Sequence, residues 1–147
     1  MPERLTNSLE SATFWGLLAL VLFGPLAFGA VEEWSMFVLR TGAAILFLLW
    51  AARQLAAGEI EFARNPLYRP MAGLGVVVIV QMLFGRSAYQ HGTITEFLNY
   101  ASYGLLFFVG VQVLRDEKRL KQFGTALVIF GSLYALFALV QDLTFNG

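Results

Sequence analysis

The stretch that decides the fold is residues 97–140, FLNYASYGLLFFVGVQVL RDEKRLKQ FGTALVIFGSLYALFALV, in which a polar block separates two apolar runs. Each run has 18 residues, which as an α-helix is about 27 Å, close to the thickness of the hydrocarbon core of a bilayer. The block at 115–122 contains four of the ten Lys and Arg residues, and short basic loops accumulate on the cytoplasmic side. We therefore predict two membrane spans joined by a cytoplasmic loop.

The composition extends this interpretation to the whole chain of 147 residues. Hydrophobic residues make up 58% and charged residues 14%, with a mean hydropathy of +0.66. A soluble domain of this size has too little interior to bury several helices that are apolar on all sides. We predict an all-α, polytopic transmembrane helical bundle that forms a single domain. Its five spans lie near 14–30, 34–52, 67–84, 97–114 and 123–140.

Charge and cysteine content exclude several function classes. Ten basic and ten acidic residues give zero net charge without a basic stripe, so nucleic acid is not an expected partner. The absence of Cys excludes disulfides, thiol catalysis and thiolate metal sites. The sequence contains no HExxH motif, phosphate-binding Gly-rich loop or nucleophile elbow. We therefore assign no catalytic residue, no metal and no cofactor.

The distribution of basic residues predicts the orientation of the spans. With the N-terminus in the cytoplasm, eight Lys and Arg residues are cytoplasmic and two fall toward the other side, so the C-terminus is periplasmic. The eight are Arg4, Arg53, Arg64, Arg69, Arg115, Lys118, Arg119 and Lys121, and the two are Arg40 and Arg86. The weakest span is the third, because its core at 71–84 reaches only about 21 Å as a helix. A re-entrant segment is the alternative there.

The start of the chain also allows two interpretations. Asn7 and Glu10 predict a helix N-terminal cap before the first span, and Gly24-Pro25 predicts a kink or an early helix end. A cleavable signal peptide is the competing hypothesis, because the small residues at 27–29 follow an apolar run. The acidic residues before this run argue against it, since signal peptides begin with positive charge.

Arg40 lies inside the second span. Eight Phe, Val, Leu and Ile residues between the two Trp residues of this span each favour insertion by about 0.3–0.6 kcal/mol, against a cost of about 2.5–3.5 kcal/mol for a central Arg. Insertion is therefore near balance or favourable. The side chain either extends to the outer surface or faces an internal cavity that binds an anion.

The predicted outer loop before the fourth span contains a cluster of mixed polar residues, Arg86, His91 and Glu96. His91 and Glu96 could form an acid and base pair, or the loop could be an ordinary solvated surface. Glu96, Asn99 and Tyr103 are spaced three and four residues apart, which places them on one helical face. We expect this face to point into the bundle, for hydrogen bonding between helices or along a substrate path.

Residues 25–35, PLAFGAVEEWS, resemble the N-terminal part of the O-antigen ligase and polymerase-like family of bacterial envelope glycan enzymes. The resemblance continues in the basic connection at 53–69, in the aromatic span that runs into LRDEKRL at 114–120, and in 131–142. It covers most of the chain, through loose and mostly hydrophobic motifs.

The resemblance implies glycan transfer from an undecaprenyl-diphosphate carrier, at the periplasmic face of the bacterial inner membrane, without metal or nucleotide. Family members have ten or more spans, and their essential Arg and His residues lie in a later half that this chain does not contain. No family catalytic residue can be placed on this sequence, so we expect the chain to be inactive alone. The candidate substrate-binding residues are Arg40, Arg86, His91 and Glu96.

Two other functions fit the sequence less directly. A small non-enzymatic membrane protein could assemble with a partner through small residues such as Gly131 and Ala135, or Gly73 and Gly75, which permit close helix contact. A compact transporter would require polar residues paired across several spans, and the spans contain little that ionises besides Arg40.

Because the sequence contains no Cys, single Cys substitutions test the predicted orientation. We expect Gln122→Cys to react with a membrane-impermeant maleimide only in inverted membrane vesicles, since the basic block is predicted to be cytoplasmic. Glu33→Cys should react in spheroplasts, and the Cys-free chain is the control. Labelling on the opposite sides would contradict the predicted topology.

Overall fold

The structure, a computed structural model, describes residues 2–27, 32–83 and 90–145. These residues form five α-helices and no strand, which confirms the predicted all-helical class. The helices are α1 (Pro2–Leu26), α2 (Glu33–Ala57), α3 (Tyr68–Leu83), α4 (Gln90–Val113) and α5 (Glu117–Phe145). The chain divides into two compact units, Met1–Val113 and Leu114–Gly147, which we describe separately.

Four helices are long and apolar enough to cross a membrane, namely α1, α2, α4 and α5. The third helix is shorter, with 16 residues or about 24 Å. Pro70 lies in its first turn, where the missing N–H of a proline breaks no helical hydrogen bond. The described residues therefore confirm four apolar helices of spanning length, and α3 is a fifth apolar helix below that length.

Helices α1, α4 and α5 begin several residues earlier than the sequence predicts. α1 begins at Pro2, so the predicted cap at Asn7 is wrong; a proline is favourable at the first helical position because its φ is already helical. α4 begins at Gln90, so the predicted outer loop is helical from there to Glu96.

The basic block is also mostly helical, which corrects the predicted loop. Only residues 114–116 form a turn, and α5 begins at Glu117. Asp116 caps this helix by accepting a hydrogen bond from the backbone N–H of Lys118 at 3.4 Å. Glu117 and Lys121 form an ion pair at 2.7 Å one turn apart, which supports the first turns of the helix.

Two other helix ends follow local sequence signals. α1 ends at Leu26, one residue after Pro25, as the early-end prediction requires. α2 ends before Gly58, which has φ +70° and donates its N–H to the carbonyl oxygens of Gln54 and Leu55. This left-handed conformation favours glycine, and it satisfies carbonyl groups that the helix end leaves open.

Antiparallel helices α1 and α2 pack by a reciprocal exchange of glycine and leucine. A Cβ atom on Gly16 would lie 2.7 Å from Leu46 Cδ2, and one on Gly42 would lie 2.7 Å from Leu20 Cδ1. Each leucine therefore occupies the space over a glycine of the other helix. Small residues allow helix backbones to approach in this way, and close packing is a main source of helix association in lipid.

A connecting segment between α2 and α3 is held by two buried glutamines. Gln54 of α2 donates to the carbonyl oxygen of Glu61 at 2.7 Å and accepts from the N–H of Glu61 at 3.4 Å. Gln112 of α4 pairs in the same way with Ala63, at 3.3 Å and 2.9 Å. The two amide side chains thus pair with the backbone of Glu61 and Ala63, two residues apart, as a neighbouring strand would.

Aromatic and charged contacts near the C-terminal ends of α2 and α4 join these helices to the connecting segment and to α1. The ring of Phe108 lies 4.8 Å from Trp50 and 5.7 Å from Phe62, measured between centroids. Arg53 forms ion pairs with Glu10 of α1 at 3.3 Å and with Glu61 at 3.7 Å. Helices α1, α2 and α4 and the connecting segment are therefore joined at one level.

The glycine and leucine exchange predicts an asymmetric response to substitution. We expect Gly42→Leu to lower the stability of the protein by about 1–3 kcal/mol, because the new side chain has to displace Leu20 from an already filled space. Gly24→Leu is the control, since nothing lies within 4 Å of a Cβ atom at that position. Thermal unfolding of both variants in one detergent gives the comparison, and equal midpoints would contradict the packing described above.

Candidate functional site

Arg40 of α2 reaches across to α4. Its Nε and Nη2 atoms donate hydrogen bonds to Asn99 Oδ1 at 3.0 Å and 2.6 Å, and Nη2 also donates to the backbone carbonyl oxygen of Thr95 at 3.4 Å. α2 and α4 run parallel, because Arg40 meets Asn99 and Trp50 meets Phe108 in the same order along both helices. The contact therefore lies toward the N-terminal ends of both helices.

Asn99 supplies the acceptor that this geometry requires. Its residue surface is 8% exposed, so its amide oxygen is shielded from water and its bond to a charged donor is stronger than it would be at the surface. Arg40 as a whole residue is half-buried. The side chain neither simply extends along α2 to the surface nor lies in a closed cavity, but crosses the interface between two helices.

The electrostatic feature of this site is the positive charge of Arg40. Among the described residues, no carboxylate lies within 4.0 Å of the Arg40 guanidinium, and Nη1 donates no hydrogen bond. The acceptors that it has are a neutral amide and a neutral carbonyl, so its charge is solvated but not balanced. A charged side chain within a membrane span is expensive, and such residues mark binding sites or ion pathways.

The three residues that were predicted to share one face of α4 lie in different environments. Asn99 is buried as expected, but Glu96 is exposed, so the expectation that all three point into the bundle is wrong for Glu96. Tyr103 is 45% exposed and lines a groove between α3 and α4. The buried polar positions on α4 are instead Asn99, Ser102 and Gln112. Ser102 donates to the carbonyl oxygen of Leu98 and is satisfied within its own helix.

The other predicted site residues are placed less fully. Arg86 and the side chain of His91 lie outside the described residues, so the predicted cluster with Glu96 stays a prediction. Sequence reasoning missed Asn99 as the partner of Arg40. A signal was present, because an Arg and an Asn occur in two apolar spans that the predicted topology orients in the same direction, and each would need a polar partner there.

Comparison with known proteins gives no relative: no family model, curated protein or solved structure matches this chain. Within the described residues, no group of three His, Asp or Glu side chains could hold a metal ion. The function therefore has to be argued from the geometry around Arg40.

A double-mutant cycle tests the contact between Arg40 and Asn99. Asn99→Leu should destabilise the protein, because it leaves the guanidinium without its main acceptor. The further change Arg40→Leu should restore part of the loss, with a coupling energy of about 0.5–1.5 kcal/mol. Thermal or denaturant unfolding in detergent provides the measurement. The control cycle pairs Arg40→Leu with Glu96→Leu, for which we expect additivity; additivity in both cycles would contradict the contact.

Proposed function

We propose that this chain is the N-terminal membrane part of a protein that transfers a lipid-linked glycan at the periplasmic face of the bacterial inner membrane, and that Arg40 binds the phosphate of the lipid carrier. The observation that supports the proposal is the Arg40 guanidinium, which lies between two apolar helices with neutral acceptors only. A bound phosphate would supply the negative charge that the described residues do not.

The chemistry of arginine fits this role. The planar guanidinium presents several N–H donors in a fixed fork that matches phosphate oxygens, and it is more weakly hydrated than the ammonium group of lysine. Asn99 holds Nε and Nη2 in place, so the group is oriented before a ligand arrives. Its position is also suitable, since Arg40 is seven residues or about 10 Å from the first residue of α2. A lipid phosphate lies at the membrane interface, within reach of a long side chain at that depth.

The glycan and the lipid carrier in this proposal are taken from the family that residues 25–35 and 98–120 resemble. The chain contributes binding and orientation of the carrier, not the chemical step, because no residue of the sequence matches a catalytic position of the family. The purified 147-residue chain should accordingly transfer no glycan.

Binding of a polyprenyl diphosphate tests the proposed function. We expect the variant Arg40→Gln with Arg86→Gln to bind geranylgeranyl diphosphate about tenfold or more weakly in phosphatidylcholine nanodiscs, because charge-assisted hydrogen bonds to the phosphates are lost. Arg64→Gln with Arg69→Gln is the matched control, since it removes the same charge from the predicted cytoplasmic side. Its affinity should equal that of the unmodified protein.

Equal affinity of both double variants, with unchanged thermal stability, would contradict a role for Arg40 in binding phosphate. That result would favour the competing hypothesis, a non-enzymatic membrane protein that assembles with a partner. Purification from the native membrane would then be expected to yield a stoichiometric complex with a protein unrelated to envelope glycans.

A further inference from the structure

The amide of Asn99 has a nitrogen atom that the contact with Arg40 leaves unused. A guanidinium group only donates hydrogen bonds, so the bonds at 3.0 Å and 2.6 Å require Asn99 to present its oxygen, Oδ1, to Arg40. The nitrogen, Nδ2, donates no hydrogen bond to any described residue. Asn99 is 8% exposed, and buried amide groups in proteins are almost always hydrogen-bonded. Nδ2 is therefore a donor that lacks an acceptor in the described part of the chain.

Arg40 has a second unused donor. One edge of its guanidinium, Nε and Nη2, is occupied by Asn99 Oδ1, and Nη2 also reaches the carbonyl oxygen of Thr95 at 3.4 Å. Nη1 donates no hydrogen bond to a described residue. Within the described ranges, Arg53 Nε is the one side-chain nitrogen or oxygen that is both buried and unpartnered. Neither Arg40 Nη1 nor Asn99 Nδ2 is therefore sealed inside the protein, and both have accessible surface.

The two free donors lie close to one another. Nδ2 is bonded to the same carbon as Oδ1, Nη1 is bonded to the same carbon as Nη2, and Oδ1 lies 2.6 Å from Nη2. The two donors are thus outer atoms of one hydrogen-bonded pair of planar groups. Together they present N–H groups and one positive charge, which is the complement of an oxyanion. A phosphate group has several acceptor oxygen atoms, so it can bind both donors at once.

The neutrality of Asn99 matters as much as its shape. An Asp of the same shape would place a carboxylate on Arg40, and that carboxylate would supply within the protein the negative charge that a ligand otherwise brings. It would also replace the Nδ2 donor by an oxygen that only accepts hydrogen bonds and repels an anion. An amide therefore orients the guanidinium and leaves its charge available to a ligand.

We propose that Asn99 is a second phosphate-binding residue, which donates from Nδ2 to the oxyanion that Arg40 binds, and that its neutrality makes the site selective for an anion. This inference rests on the proposed function for Arg40 and adds a binding residue on α4. The phosphate then bridges α2 and α4 at the contact between them.

Two substitutions of Asn99 separate binding from stability, with geranylgeranyl diphosphate as the probe and the full chain in phosphatidylcholine nanodiscs. Asn99→Asp should bind about tenfold or more weakly, because its carboxylate pairs with Arg40 and repels the phosphates. Its unfolding temperature should be unchanged or higher, because the new pair is charged on both sides. Asn99→Leu should lose only about threefold in affinity, the effect of one neutral hydrogen bond, although it unfolds at a lower temperature. The two variants therefore rank in opposite orders for affinity and for stability.

Asn65→Asp is the matched control. It makes the same chemical change in the connecting segment, where Asn65 Oδ1 accepts a hydrogen bond from the backbone N–H of Leu67 at 2.9 Å. A carboxylate oxygen accepts this bond equally well, and the affinity should equal that of the unmodified protein. A loss as large as that of Asn99→Asp would show that added negative charge weakens binding wherever it lies, and would overturn the role of Asn99.

Arg40→Gln distinguishes this inference from the proposed function. If Arg40→Gln weakens binding and Asn99→Asp does not, Asn99 has no part in binding and the phosphate site on Arg40 stands. If Arg40→Gln binds normally, the phosphate site is overturned and the role of Asn99 with it. Affinities that follow the unfolding temperatures, with Asn99→Leu as the weakest binder, would show that Asn99 only holds the two helices together, and would overturn the inference.

Discussion

Polar groups inside a bilayer have to find their partners within the protein, because lipid chains offer none. The first unit of this protein meets that constraint with four polar side chains on two parallel helices. Arg40 reaches Asn99, and Gln54 and Gln112 pair with the backbone of the segment that connects α2 and α3. These contacts join α2 to α4 and hold the segment that leads into α3.

The polar contacts at the two ends of this helical unit differ. Near the C-terminal ends of α2 and α4, the glutamine amides pair with backbone groups, Phe108 contacts neighbouring rings, and Arg53 forms two ion pairs although its Nε atom is buried without a partner among the described residues. Near their N-terminal ends, Arg40 has acceptors but no counter-ion among the described residues. The proposed binding of a phosphate depends on this difference between the two ends.

Helices α1 and α2 of the first unit pack through complementary shapes of glycine and leucine. Gly16 and Gly42 accept leucines across the α1–α2 contact, whereas Gly73 and Gly75 on α3 have open space around them. Sequence reasoning selected Gly73 and Gly75 for close contact and did not identify Gly16 and Gly42. A glycine in an apolar helix thus indicates that close approach is possible, but only the neighbouring helix determines whether anything approaches.

The sequence by itself determined that the chain is helical, where the four long apolar helices lie, that the third is short, and that α1 ends near Pro25. These properties depend on the length of apolar runs and on local backbone chemistry, and both can be read from consecutive residues of the sequence. It did not determine the helical starts at Pro2 and Gln90, the pairing of Arg40 with Asn99, or the roles of Gln54 and Gln112. In a membrane helix the faces toward lipid and toward other helices are both apolar, so the hydrophobic pattern does not show which face is inside. The rotation and register of each helix, and with them the candidate site, are decided only when complementary side chains from distant parts of the chain meet.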